Sequence, residues 1–368
     1  MTHRTAFDAL LVEAAARRAS DLHLRVGQPP LVRVNGDLER WTSSPIVTRD
    51  DLESLISVWL DADQLTRLDR IQEVDFAWSL PGVGRLRASV FRERGQPAVA
   101  LRLIPAHIPP MDSLGLPASV AALVGESRGL VLVTGATGSG KSTTLAALVA
   151  AINQSRKVHI LTIEDPIEFV HVDDQAVVSQ REVGIDVPSY SAGLKSALRQ
   201  DPDVILLGEL RDAETIETAL VAAETGHLVL STLHTLDAPE TINRIVSVFA
   251  PHHQGQIRHQ LARVLRAAIS QRLLPKADGQ GRALAAEVMV STPYIRDCIA
   301  DRDKTCLLAS AIVSGSHEYG MQSFDQSILA LTQSSSVSVD EALRWVTNVE
   351  EFKMRLRGIT PGSASFRR

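Results

Sequence analysis

Apolar residues along this chain follow two periods, and the change between them divides it. From about Thr5 to Ala19 they recur every three to four positions, as on one face of a helix. Short extended runs follow near Leu22–Val26 and Leu31–Val34, then helices near Asp50–Trp59 and Asp61–Arg70. Val74–Ser79, Arg85–Arg92 and Ala98–Ile104 alternate as strands do. This part reads as a small α+β module, residues 1–106. Prolines at Pro105, Pro109, Pro110 and Pro117 then exclude a continuous helix or central strand, and the domain boundary is placed there.

Beyond it the apolar runs become continuous and short. Leu130–Val133, His159–Ile163, Val204–Leu207 and Leu228–Leu230 suit strands buried on both faces of a parallel sheet. Helices alternate with them: Asp212 caps one that Gly226 closes, and Asp237 precedes a first turn containing Pro239. The expected class is α/β, a doubly wound sheet over 107–358 whose part from Thr292 is mostly helical. The tail 359–368, with Pro361, Gly362, Ser363 and Ser365, is expected to be disordered.

Composition narrows this little. With 368 residues, 45% apolar and 22% charged, the chain has material for two globular domains. A net charge of −5 gives no uniform attraction to nucleic acid or anionic lipid, so nucleic acid is not an expected partner. Cys298 and Cys306 are too widely spaced for a zinc pair and are expected as reduced thiols. His252, His253 and His259 read as a solvated helix face rather than metal ligands. The charged N-terminus does not read as a signal peptide, and no run approaches a membrane span, so membrane contact is expected only through a partner.

The chemistry lies in four places. Gly135-Ala136-Thr137-Gly138-Ser139-Gly140-Lys141-Ser142-Thr143 matches the phosphate-binding loop, between the strand-like LVLVT and the helical STTLAALVAAI. Its backbone amides are expected to cradle the phosphates of ATP, with Lys141 as point charge and the Ser142 hydroxyl as a Mg2+ ligand. Two strands end in carboxylates, at Glu164 and at Glu209, on the edge where parallel sheets bind ligands. His227 and His234 bracket a buried strand, each suited to sensing a phosphate or to a structural bond. Arg85 and Arg87 share one strand face and an arginine recurs at Arg102, forming a solvated edge or a patch offered to phosphate.

These blocks, in this order, resemble the type IV pilus retraction (twitching motility) ATPases, the PilT/PilU family of the secretion-ATPase superfamily. The N-terminal ASDLHLRVGQPPLVRVNGDLER, the Walker A box GATGSGKSTT, the Asp box LTIEDPIEFVH, the Walker B box RQDPDVILLGELRD and the His box ETGHLVLSTLHT carry the likeness. The resemblance implies a PAS-like N-terminal domain and a RecA-like ATPase domain. It implies Glu164 as general base, Glu209 as organiser of Mg2+ together with Ser142, and His227 and His234 as the His-box pair. It also places Arg87 and Arg102 where the N-terminal domain reaches the ATP of an adjacent subunit. The implied assembly is a homo-hexamer, cytoplasmic and peripheral at the inner membrane. It would act on an inner-membrane pilus platform protein, with a paralogous pilus ATPase as a further partner.

Three features favour retraction over pilus extension or type II secretion: no extra N-terminal domain, no tetracysteine segment, and Gly320–Gln326, GMQSFDQ, which resembles the retraction family. Where that family commonly has AIRNLI, residues 294–299 read YIRDCI, which keeps open a non-catalytic or accessory retraction subunit. A nucleic-acid translocase would need a basic pore that composition does not announce.

Overall fold

The computed structural model describes residues 3–17, 19–34, 36–105 and 108–358; the tail expected to be disordered therefore lies outside the described residues. Two compact units are formed, Met1–His107 with Glu168–Val170, and Ile108–Ile167 with His171–Arg368.

In the first unit, α1 (His3–Ala16) precedes β1 (Asp21–Arg25), β2 (Leu31–Val34) and β3 (Asp37–Arg40). Helices α2 (Arg49–Trp59) and α3 (Ala62–Ile71) follow, then β4 (Glu73–Leu80), β5 (Gly84–Glu93) and β6 (Gln96–Pro105). Both α2 and α3 begin at capping boxes, Thr48 with Asp51 and Asp61 with Gln64, which satisfy the free first-turn amides. The strands form one antiparallel sheet in the order β3-β2-β1-β6-β5-β4. Along β5, Leu86, Ala88 and Val90 are buried while Arg87 is exposed, so one face packs and the other presents arginine.

The second unit contains α4 (Ala118–Ala122), β7 (Gly129–Thr134), α5 (Lys141–Ser155), β8 (His159–Glu164), β9 (Val177–Glu182), α6 (Tyr190–Ala197) and β10 (Val204–Leu207). It continues with α7 (Ala213–Glu224), β11 (Leu228–Leu233), α8 (Ala238–Ser247), α9 (Gln254–Val264), β12 (Leu265–Pro275) and β13 (Arg282–Val290). Helices α10 (Pro293–Ala300), α11 (Leu308–Ser314), α12 (Ser316–Tyr319), α13 (Phe324–Gln333), α14 (Val339–Trp345) and α15 (Val349–Leu356) complete it. The sheet order is β13-β12-β7-β11-β10-β8-β9, parallel except for β13. Every residue of β7, β10 and β11 is buried. Leu130 and Leu132 enter one apolar cluster while Val131 and Val133 enter another, so each face of the sheet has its own core.

Strands β3, β9, β12 and β13 go beyond the sequence reading. In β12 the polar Ser270, Gln271 and Arg272 interrupt the apolar run, and in β9 only the first two residues are apolar. Ser270 and Gln271 are nevertheless buried, Ser270 bonded to Thr134 at the end of β7 and Gln271 to Thr144 in the first turn of α5.

Candidate active site

Strand β7 ends at Thr134, and the loop 135–140 turns the chain into α5. Gly135, Gly138 and Gly140 take φ of 141°, 78° and 92°, which other residues rarely adopt. A Cβ on Gly135 would stand 2.5 Å from both the Gln271 carbonyl oxygen and Ser139 Oγ. Residues Ala136, Thr137 and Gly138 are exposed at the mouth of the loop, and Ser142 and Thr143 are half-buried at the start of α5. No side chain caps α5, so its first-turn amides and the helix dipole serve an anion. Lys141 is buried and donates from Nζ to Gly135 O at 2.8 Å and Ala136 O at 3.0 Å, along the inner wall of the loop.

Two residues outside the motif support this loop. Gln271 donates from Nε2 to Thr144 Oγ1 at 2.6 Å, and Arg282 donates from Nη1 to Gly138 O at 3.3 Å. Sequence reasoning passed over both; the one available signal, for Gln271, was the polar break in β12. Ser139 Oγ and Gln271 Oε1 are buried without a hydrogen-bond partner, polar atoms that fit a bound phosphate group better than a closed core.

The remaining strand ends converge on the same edge. Leu233 pairs with Thr134, and Leu207 with both Ser231 and Ile163. His234, Glu209 and Glu164 therefore leave neighbouring strands beside the loop, one, two and three strand spacings of about 4.8 Å away. Glu164 Oε1 accepts from Thr162 Oγ1 at 2.8 Å and from Gln180 Nε2 at 3.2 Å. Glu209 is largely buried, accepts from Arg211 Nε on Oε2 at 2.8 Å, and has His234 Nε2 3.4 Å from Oε1. The bond to Glu209 holds the exposed Arg211 guanidinium above its ordinary range.

Tyr190, not singled out from sequence, lies among these carboxylates. Burial raises its phenol above the ordinary range; Asp165, Glu209 and Glu164 add to the effect and Arg211 opposes it. It stays a neutral donor. Its hydroxyl packs on Gly208, where a Cβ would come within 2.7 Å of it.

His227 is not brought to this edge. It precedes β11, roughly 20 Å along the strand from His234, and its Nδ1 lies 2.9 Å from Ala222 O at the end of α7. In the first unit, Arg87 and Arg102 are direct cross-strand partners on β5 and β6, and both are exposed. Arg102 Nε is 3.0 Å from Asp21 Oδ1. Nearby His23 is held below its ordinary range by burial, with Arg33, Arg102 and Arg25 adding and Asp21 opposing. Two like charges set opposite one another disfavour the pair, and Asp21 offsets part of that cost through Arg102.

Among the described residues, no group of three or more His, Cys, Asp or Glu could hold a metal ion. Mg2+ bound through phosphate oxygens and one or two protein groups needs no such group, and Ser142 and Glu209 offer a hydroxyl and a carboxylate of the right kind.

A glycine loop on a buried parallel strand, with acidic groups on the neighbouring strand ends, defines a P-loop nucleoside triphosphatase. The profile of the Type II/IV secretion system protein family matches residues 3–322. The type IV pilus retraction ATPase PilT of Pseudomonas aeruginosa is 44% identical over 90% of this chain and 96% of its own length. The type IV pilus ATPase PilU of the same organism is 37% identical over 95% of this chain and 91% of its own. A crystal structure of the pilus retraction motor PilT with bound ADP superposes with a TM-score of 0.85 at 42% identity, covering 94% of this chain and 98% of that one. The chain belongs to the type II/IV secretion system protein family and, within it, to the PilT-type twitching-motility ATPases. It is a nucleotide-binding ATPase with an N-terminal α+β domain and a RecA-like domain.

Proposed function

We propose that this chain is the subunit of a hexameric motor that hydrolyses ATP to power type IV pilus retraction. Residues 1–106 serve as its N-terminal domain and 107–358 as its ATPase domain. The observation that carries the proposal is the gathering of Lys141, His234, Glu209 and Glu164 on one sheet edge, beside a loop built for phosphate. Relatives named for pilus retraction that match nearly end to end support the direction of work.

Bound ATP with Mg2+ supplies the phosphoryl group to be transferred and the cation that neutralises its oxygens. The 135–143 loop binds the phosphates and Lys141 contributes its charge. Ser142 and Glu209 hold the cation, with Arg211 and His234 fixing the orientation of the Glu209 carboxylate. Glu164, aimed by Thr162 and Gln180, takes a proton from the attacking water. Arg87 and Arg102 offer paired cations to the ATP of an adjacent subunit. His227, the other His-box residue, anchors the foot of β11 to α7.

The partner of the ring is an inner-membrane pilus platform protein, reached from the cytoplasmic side; among the described residues no helix is long and apolar enough to cross a membrane. A second reading, an accessory subunit working with a paralogous ATPase, is favoured by the YIRDCI segment on α10, where Tyr294 is exposed. Replacing the host's own copy with Lys141→Ala tests the motor reading. Pili should accumulate and twitching should stop; unchanged pilus number and motility would contradict it.

A further inference from the structure

The segment after β11 is built as one piece with the first turn of α8. Thr235 Oγ1 and Thr241 Oγ1 lie 2.7 Å apart, Leu236 N donates to Glu240 Oε2 at 2.7 Å, and Glu240 N donates to Asp237 Oδ1 at 2.8 Å. His234 directly precedes this piece, so the place where α8 begins sets where the imidazole stands against Glu209.

A buried carboxyl ties the piece to the sheet. Glu287 on β13 is 7% exposed and accepts from Ala238 N, the first residue of α8, at 2.8 Å. Its register partner on β12 is Ser270, whose Oγ accepts from Thr134, the last residue before the phosphate-binding loop. An anion at a helix N-terminus is favoured by the dipole and makes a charge-assisted bond.

We propose that Glu287 is a positioning residue for ATP hydrolysis: its carboxylate holds the first turn of α8, and with it His234, against the sheet, and protonation of this carboxyl loosens the hold. This rests on the reading that His234 and Glu209 belong to the hydrolytic site.

The surroundings leave that carboxyl's charge finely balanced. Burial raises its pKa to about 7; the Ala238 amide and Arg272 on β12 oppose the rise, while Asp237 at the head of α8 and Asp325 on α13 add to it. Arg272 donates to Trp345 O at 3.1 Å and stacks 3.8 Å from the Phe324 ring centre. Asp325 accepts from Thr347 N and Asn348 N. Glu351 and Arg355 on α15, paired with each other, line the same cavity of about 250 Å³.

The test uses the full chain as wild type, Glu287→Gln and Glu287→Ala, between roughly pH 5.5 and 8.5. Two readouts are taken: amide exchange over residues 234–241, corrected for its intrinsic pH dependence, and kcat and KM for Mg2+-dependent ATP turnover. In the wild type, exchange should quicken and kcat should fall roughly fivefold below about pH 7, with KM unchanged. Glu287→Gln keeps an acceptor without charge, so it should show the wild type's low-pH values at every pH. Glu287→Ala should exchange faster throughout; if that variant does not fold, the comparison with Gln decides. Parallel pH profiles for wild type and Glu287→Gln, or exchange indifferent to Glu287, would overturn the proposal. Exchange that follows Glu287 in a wild type that turns over no ATP at any pH would leave this pin standing and sink the hydrolytic reading instead.

Discussion

Glu209 and His234 face each other at the carboxyl edge of the sheet, Oε1 and Nε2 3.4 Å apart, from the ends of neighbouring strands β10 and β11. Arg211 holds the other carboxylate oxygen. Glu209 is thus held from both sides, so any reorientation of its carboxylate must move Arg211, His234 or both.

Glu164 is the base in this account, and its geometry, fixed by Thr162 and Gln180, survives an amide. Glu164→Gln is expected to lower turnover by about 10² to 10⁴ while leaving nucleotide affinity intact. Steady-state ATPase assays beside a fluorescent-nucleotide titration separate the two; undiminished turnover would sink the base assignment.

The two histidines should separate in mutagenesis. His234→Ala removes a neighbour of Glu209 and should cost at least about tenfold in kcat. His227→Ala removes a bond to Ala222 O and should cost about 1 kcal/mol of stability with little change in kcat. Equal kinetic losses would contradict the placement of His227 at the far end of β11.

Gly208 leaves room for the Tyr190 hydroxyl. A Cβ there would lie 2.7 Å from Oη but 3.4 Å from Cε1 and Cζ. Gly208→Ala should therefore impair turnover, and adding Tyr190→Phe should recover part of the loss. No recovery in the double variant would mean that the clash is not with that oxygen.

What the sequence made legible follows from how each residue does its work. The loop 135–143 and the acidic ends of β8 and β10 stand out because chemistry and local structure coincide there: apolar strand, turn, helix. Gln271, Arg282, Tyr190 and Glu287 act through pairings distant in sequence, Gln271 with Thr144, Arg282 with Gly138, Tyr190 with Gly208 and Glu287 with Ala238. A local pattern carries no trace of these. The same holds for β12, whose buried polar residues break the apolar run, and for His227, whose motif neighbours hide that a six-residue strand separates it from His234.

Arg87 and Arg102, set opposite one another on an exposed face, should be dispensable for folding yet needed for turnover. Arg87→Ala is expected to leave thermal stability within about 0.5 kcal/mol and to abolish most turnover. On the proposal that Arg87 serves the ATP of an adjacent subunit, mixing the variant with Glu164→Gln subunits should restore part of the activity. Mixtures as inactive as either parent would contradict a shared site.

Glu287 also gives stability a pH dependence of known sign. Burial outweighs the Ala238 amide and raises its pKa from the ordinary 4.5 to about 7 on folding, so the folded state binds the proton more tightly. The stability this contributes is complete below about pH 4.5 and is lost as pH rises through about 7, on the order of 3 kcal/mol at most. Glu287→Gln should therefore flatten the fall in melting temperature across that window, by differential scanning fluorimetry; a wild-type slope retained in the variant would assign the effect elsewhere.

The most direct test of the central claim is Mg2+-dependent ATP turnover of the purified chain over a wide range of protein concentration, with Lys141→Ala as the blank. Specific activity that climbs steeply as subunits assemble, and is absent from the blank, is the predicted result. Nucleotide binding without turnover at any concentration would contradict it.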